Sequence, residues 1–71
     1  MKHVYIVRFF TTKQPWLSLV FGSIESAYAN LRGAGFAVNE HFLYASNYQE
    51  WTNPSDTSQT ATITKKEVIN G

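Results

Sequence analysis

The sequence contains no cysteine, which excludes a disulfide framework, thiolate metal ligands and a thiol nucleophile. Small exported domains commonly depend on disulfides, so this absence favours a cytoplasmic protein. The apolar run from Met1 to Phe10 is too short to span a membrane, Arg8 interrupts it, and no small-residue cleavage pattern follows it. The sequence therefore predicts a protein that has no membrane as a partner.

An excess of charge of one sign is also missing, since six Lys and Arg residues face five Asp and Glu residues, for a formal net charge of +1. No strong field would steer nucleic acid or an anionic surface towards the chain. Hydrophobic residues make up 44% and charged residues 15%, a balance typical of chains that fold. The length of 71 residues suits one small domain spanning 1–71, in which five Phe, four Tyr and two Trp supply large apolar area.

Motifs that carry chemistry are absent as well. The histidines, His3 and His41, are far apart and lack ligand partners at helical spacing, which argues against a metal site. Gly33-Ala34-Gly35 lacks the lysine of a phosphate loop, and no Gly-x-Ser-x-Gly elbow is present. A domain this small has little room for a pocket of about 300 Å³ or more. We therefore expect neither an enzyme nor a bound cofactor.

Two β-rich runs begin the chain. Lys2 to Thr12 is apolar on both alternating sets of residues at its centre, which predicts an interior strand. Trp16 to Phe21 resumes the pattern after a break that ends at Pro15, a position where proline removes no ladder hydrogen bond. The two runs together predict a β-hairpin.

An amphipathic helix is predicted next. Ser23 can cap it by accepting a backbone N–H from Glu25 or Ser26. Four apolar residues at helical spacing form one stripe, which we expect to pack on the Tyr5 or Ile6 side of the first strand. The stripe consists of Ile24, Ala27, Tyr28 and Leu31. Gly33-Ala34-Gly35 then ends the helix.

The segment from Phe36 to Trp51 fits neither period well. Asn39 and Ser46-x-x-Gln49 are both possible helix starts, the second for a helix over Asn47 to Thr52. The pattern favours at least one helical turn here and leaves a strand as the alternative.

Turn-forming residues then predict an exposed loop from Thr52 to Ser58. Thr60 to Ile69 is β-branched and sparse in apolar residues, which is typical of an edge strand guarded by lysines. The predicted fold is α+β, a small antiparallel sheet of three or four strands with one or two helices on one face. The order is β-β-α, then α or β, then β.

Two functions remain open. The first is a non-enzymatic protein-interaction module that binds a protein partner or itself, through aromatic surface patches or an edge strand. Its candidate surface consists of Trp16, Tyr44, Tyr48 and Trp51, of residue types that often anchor interfaces. The alternative is that these rings fill the core.

The second is a nucleic-acid-binding regulator. It would use either a helix-turn-helix-like pair, with Asn39 to Trp51 as the second helix, or an aromatic sheet face that stacks on bases. The candidate phosphate contacts are Lys2, Arg8, Lys13, Lys65 and Lys66. Glu40 and Glu50 give the second helix the wrong sign for a phosphate-facing element.

Overall fold

The computed structural model describes residues 2–11, 14–45 and 47–68. The elements in chain order are β1 (Lys2–Thr11), β2 (Gln14–Phe21), α1 (Ile24–Gly33), β3 (Ala37–Val38), a 3₁₀ turn (Glu40–Phe42), β4 (Tyr48–Asn53) and β5 (Asp56–Val68). Within these residues the strands form one antiparallel sheet in the order β2-β1-β5-β4-β3. The α+β class is confirmed, whereas the sheet has five strands where three or four were predicted.

The helix α1 covers one face of the sheet. Ala27 and Leu31 are fully buried, Ile24 and Tyr28 are half-buried, and the predicted stripe therefore faces the sheet. It packs on the Tyr5 side, because the odd-numbered residues of β1, including Val7 and Phe9, face the helix. The buried apolar core consists of Val7, Phe9, Ala27, Leu31, Phe36, Trp51, Ala61 and Ile63.

Both helix ends are closed as the sequence predicts. The Ser23 hydroxyl accepts from the backbone N–H of Ser26 at 3.2 Å. At the other end Gly35 has a φ of +90°. The N–H of Gly35 donates to the carbonyl of Arg32 at 3.0 Å, and that of Phe36 donates to the carbonyl of Leu31 at 2.9 Å. This pair of bonds closes the helix C-terminus and turns Phe36 back into the core beside Leu31.

Residues 36–52 contain the one helical turn that the pattern favoured, the 3₁₀ turn Glu40–Phe42. The longer helices considered over Asn39 to Trp51 and over Asn47 to Thr52 were wrong, because residues 48–52 lie in β4. Ser46, the proposed cap, lies outside the described residues. The period-2 signal was hidden because Gln49, a polar residue, is only 2% exposed and faces the core beside Trp51. The second helix of the helix-turn-helix-like pair is therefore absent from the described chain.

The last strand was also misplaced. β5 is not an edge, because it pairs with β1 on one side and β4 on the other. It is sparse in apolar residues because α1 covers one face only, so Ala61 and Ile63 reach the core while Thr60, Thr62 and Thr64 face away. The predicted loop from Thr52 to Ser58 shrinks to a turn at Pro54 and Ser55, where the Asn53 carboxamide oxygen accepts from the N–H of Ser55 at 2.9 Å.

Candidate interaction groove

The two edges of the sheet differ in their protection. One edge is β3, which is only two residues long, and a short edge strand offers little template for pairing. The other edge is β2, eight residues long with no charged residue among positions 14–21. Its described neighbour in the sheet is β1, so one row of its backbone N–H and C=O groups faces outward. Pro15 on this strand agrees with an edge position.

Apolar side chains on β2 remain exposed to solvent. Trp16 is 60% exposed, Leu17 is 38% exposed and Val20 is 64% exposed. A long, uncharged edge strand with exposed apolar side chains is the kind of surface that another strand pairs with. The described part of β2 therefore combines backbone groups free for pairing with side chains that gain from burial.

A cleft of about 380 Å³ lies between β2 and the end of α1. We call it the β2–α1 groove. Its lining residues are Phe9, Trp16, Leu17, Leu19, Asn30, Ala34, Phe36 and Gln59. The sequence analysis expected little room for a pocket of about 300 Å³ or more, and the groove reaches this volume because it lies open at the flank of the core and not inside it.

An irregularity in the β1–β2 ladder places Trp16 in this groove. Phe9 pairs with Leu17 and Phe10 pairs with Pro15, so Trp16 is an extra residue on β2. Such a bulge re-aims side chains. Here the Trp16 ring lies over the Phe9 ring on the helix side, at 5.7 Å between centroids and a tilt of 42°. The groove thereby gains an aromatic wall that remains mostly exposed.

The helix side of the groove contains an unsatisfied acceptor. Asn30 Oδ1 is buried and has no hydrogen-bond partner among the described residues. A buried polar atom without a partner destabilises the fold by about 1–3 kcal/mol. Phe36, held by the helix-closing bonds of Gly35, stands at 5.4 Å from Phe9 and completes the apolar floor.

The structure does not bring the four predicted interface aromatics together. Trp16 is in the groove, while Tyr44 is 94% exposed in the turn before β4. Tyr48 is 41% exposed and lies on β4, which two strands separate from β2, on the face of the sheet that α1 leaves bare. Trp51 is only 2% exposed and belongs to the core, as the alternative reading of these rings allowed. Trp51 is therefore not part of an exposed patch.

Three of the five candidate phosphate contacts share the bare face. Lys2, Arg8 and Lys66 are exposed there by the alternation of β1 and β5. Lys65 pairs with Tyr5 and lies on the opposite face. Lys13 lies outside the described residues.

The bare face also contains a carboxylate next to a phenol. The Tyr48 hydroxyl donates to Glu50 Oε2 at 3.0 Å. Partial burial, followed by this hydrogen bond and the negative charge of Glu50, raises the pKa of Tyr48 above its ordinary value. Tyr48 therefore stays neutral well above physiological pH.

Two chemical searches of the described residues complete the survey. No three His, Asp or Glu side chains lie close enough to hold a metal ion together. Among the same residues, no helix has the length and apolarity needed to cross a membrane.

Sequence reasoning missed the groove because separated parts of the chain build it: Phe9, residues 16–19, residues 30–36 and Gln59. The signal available in the sequence was the absence of charged residues from positions 14–21, which is unusual for a strand at the edge of a sheet.

Comparisons with protein-family models, curated proteins and solved structures found no significant match to this chain.

Proposed function

We propose that this chain is a protein-interaction module that binds an extended segment by strand addition to β2, with side chains of that segment seated in the β2–α1 groove. The observation that carries the proposal is the uncharged, eight-residue edge strand whose Trp16, Leu17 and Val20 are exposed. In strand addition, main-chain hydrogen bonds supply affinity and pockets for alternate side chains supply specificity. β2 offers the main-chain hydrogen-bonding groups, and the β2–α1 groove offers a pocket for side chains.

The side-chain alternation of an added strand defines what it should contain. Every second residue would point towards α1 and meet the apolar walls formed by Trp16 and Leu19. The residues between would lie beside Val20 on the bare face. Burial of the exposed parts of Trp16 and Val20 contributes about 25 cal/mol for each Å² of apolar surface removed from water. The preferred ligand is therefore an extended, uncharged segment with large apolar residues at alternate positions.

A displayed library of random twelve-residue peptides tests this proposal. We expect selected peptides to alternate apolar residues and to shift the backbone NMR resonances of residues 16–20 and 30–36. The edge variant Val20→Lys should weaken their binding at least tenfold, because a charge on an edge strand opposes pairing. Leu43→Lys is the matched control, since Leu43 is an exposed apolar residue, 48% accessible, away from β2. Shifts confined to the bare face, or equal losses in both variants, would contradict the proposal.

A second candidate function is binding of single-stranded nucleic acid on the bare face. The observation in its favour is that Lys2, Arg8 and Lys66 share that face with the half-buried Phe10. The carboxylate of Glu50 on the same face opposes it. A fluorescence anisotropy titration at low salt with labelled DNA and RNA oligonucleotides tests it. Binding that Arg8→Glu abolishes supports this function, and the absence of binding at 100 µM protein, taken as about the weakest nonspecific affinity expected, rejects it.

A further inference from the structure

We infer that the segment that adds to β2 is the β2 strand of a second copy of this chain. This inference rests on the proposed function and names its partner. Two β2 strands would pair antiparallel around a two-fold axis perpendicular to the sheet, so that both sheets join and both helices lie on the same face. Each copy would then place its Trp16 at the groove of the other.

The charge of β2 suits pairing with itself. In a two-fold arrangement the same patch of surface meets itself, so a charged residue near the axis faces a like charge. Like charges placed opposite one another across a strand pair are destabilising. Residues 14–21 contain no charged residue, and their sequence therefore brings no such repulsion into a β2–β2 pair.

The side chains of β2 also suit the groove. The groove walls from β2 are Trp16, Leu17 and Leu19, and an antiparallel pair about the two-fold axis would place helix-side residues of one copy, such as Leu17, against helix-side residues of the other. Trp16 and Leu17 remain partly exposed in the single chain. A second copy therefore supplies apolar side chains that cover them.

The size of the edge sets the expected affinity. Eight residues of strand span roughly 27 Å at about 3.4 Å per residue. If the smallest extent of the whole molecule, 19 Å, is taken as the depth of the edge, each copy offers at most roughly 500 Å². A specific interface needs about 1,000 Å² in total, which a β2–β2 pair just reaches. We therefore expect a weak dimer with a dissociation constant in the micromolar range.

Sedimentation equilibrium of the intact chain between about 5 and 500 µM tests the inference. The expected result is a monomer–dimer equilibrium, together with a concentration-dependent blue shift in Trp emission as Trp16 becomes buried. Val20→Lys should raise the dissociation constant at least tenfold and Leu43→Lys should leave it unchanged. Trp16→Phe, which keeps an aromatic ring but offers less apolar area to bury, should give an intermediate loss.

The possible outcomes separate this inference from the function on which it rests. A wild-type chain that stays monomeric at 500 µM overturns the second copy as partner. If peptides from the library still bind at β2, strand addition stands with a different partner. A dimer that Val20→Lys leaves intact also overturns the inference, because its interface then lies elsewhere. Library peptides that do not bind at β2 overturn the proposed function separately.

Discussion

Replacing Gln49 by Met should remove a buried hydrogen-bonding centre without changing the shape of the side chain much. Gln49 Nε2 donates to the hydroxyl of Tyr28 at 3.0 Å and to the carbonyls of Phe42 at 3.2 Å and Ala45 at 2.6 Å. Its Oε1 accepts from the indole N–H of Trp51 at 3.2 Å. These contacts tie the turn before β4 to the core.

The magnitude follows from which groups lose their partner. The carbonyl of Phe42 also accepts from the N–H of Ala45, so it remains satisfied in the variant. The carbonyl of the half-buried Ala45 and the buried indole N–H of Trp51 lose this partner, and an unpaired buried group costs about 1–3 kcal/mol. The apolar gain from burying Met offsets part of this, which leaves a loss of about 3 kcal/mol. A chain of this length has a total stability of roughly 4–10 kcal/mol, so the loss is a large fraction of it.

Urea unfolding followed by circular dichroism measures the change, and thermal unfolding should show a decrease of about 10–20 °C in Tm. The matched control is Gln59→Met, because Gln59 is half-buried and accepts one hydrogen bond, from Asn53 at 3.2 Å. It should lose under about 1 kcal/mol. Amide exchange should also accelerate at Phe42 and Ala45. A loss below 1 kcal/mol for Gln49→Met, or equal losses in both variants, refutes the reasoning.

Three further predictions concern the helix and the bare face. Gly35→Ala should destabilise the fold by about 1–2 kcal/mol in urea unfolding, because its φ of +90° is strained for alanine. A Cβ at this position meets no atom within 4 Å, so backbone strain alone causes the effect. Unchanged stability would contradict this prediction. Leu31→Ala should lose about 3 kcal/mol by the same assay and Leu43→Ala under about 0.5 kcal/mol, since Leu31 is fully buried and Leu43 is not; similar losses would contradict the packing. In an absorbance titration at alkaline pH, Glu50→Gln should lower the pKa of Tyr48 towards its ordinary value but not fully, because burial remains. Since the raised pKa means that the folded state holds this proton more tightly, its stabilising contribution is complete below pH 10 and lost as pH rises through the raised value; an unchanged midpoint in the variant contradicts this.

The parts of the fold that the sequence predicts well are those where apolar spacing is clean. The stripe that contains Ala27 and Leu31 fits a helix, and β1, which is apolar on both faces, fits an interior strand. Both elements were therefore predicted correctly. β4 lacks this clean spacing, because the buried Gln49 interrupts the alternation of apolar residues. Gln49 can be buried because the turn before β4 places the carbonyls of Phe42 and Ala45 within hydrogen-bond distance of its amide. No local sequence pattern predicts these contacts.

The position of β5 and the groove were unpredictable for a related reason, since both depend on how much of the sheet α1 can cover. A strand whose far face is bare needs few apolar residues, so Thr62 and Thr64 are compatible with a central strand as well as with an edge. The residues of the candidate site were predicted less accurately than the elements of the fold. Trp16 and Trp51 look equivalent in sequence, and only the sheet order separates an exposed ring from a core one.

The two flanks of the helix explain why we propose a partner at β2 and not on the bare face. A ten-residue helix is about 15 Å long and about 10 Å wide, whereas five strands span about 19 Å between their outer axes. One helix of this size leaves both flanks of the sheet uncovered. On the β4 flank the chain supplies its own cover: β3 pairs with β4, the N–H of Asn39 donates to the carbonyl of Glu50 at 2.8 Å, and Gln49 anchors the turn. On the β2 flank no described segment does the same, and the residues there are apolar where an edge open to water is usually charged. The bare face carries apolar residues as well, among them Phe10 and Val20, but its threonines, lysines and Arg8 are stable in water without a partner.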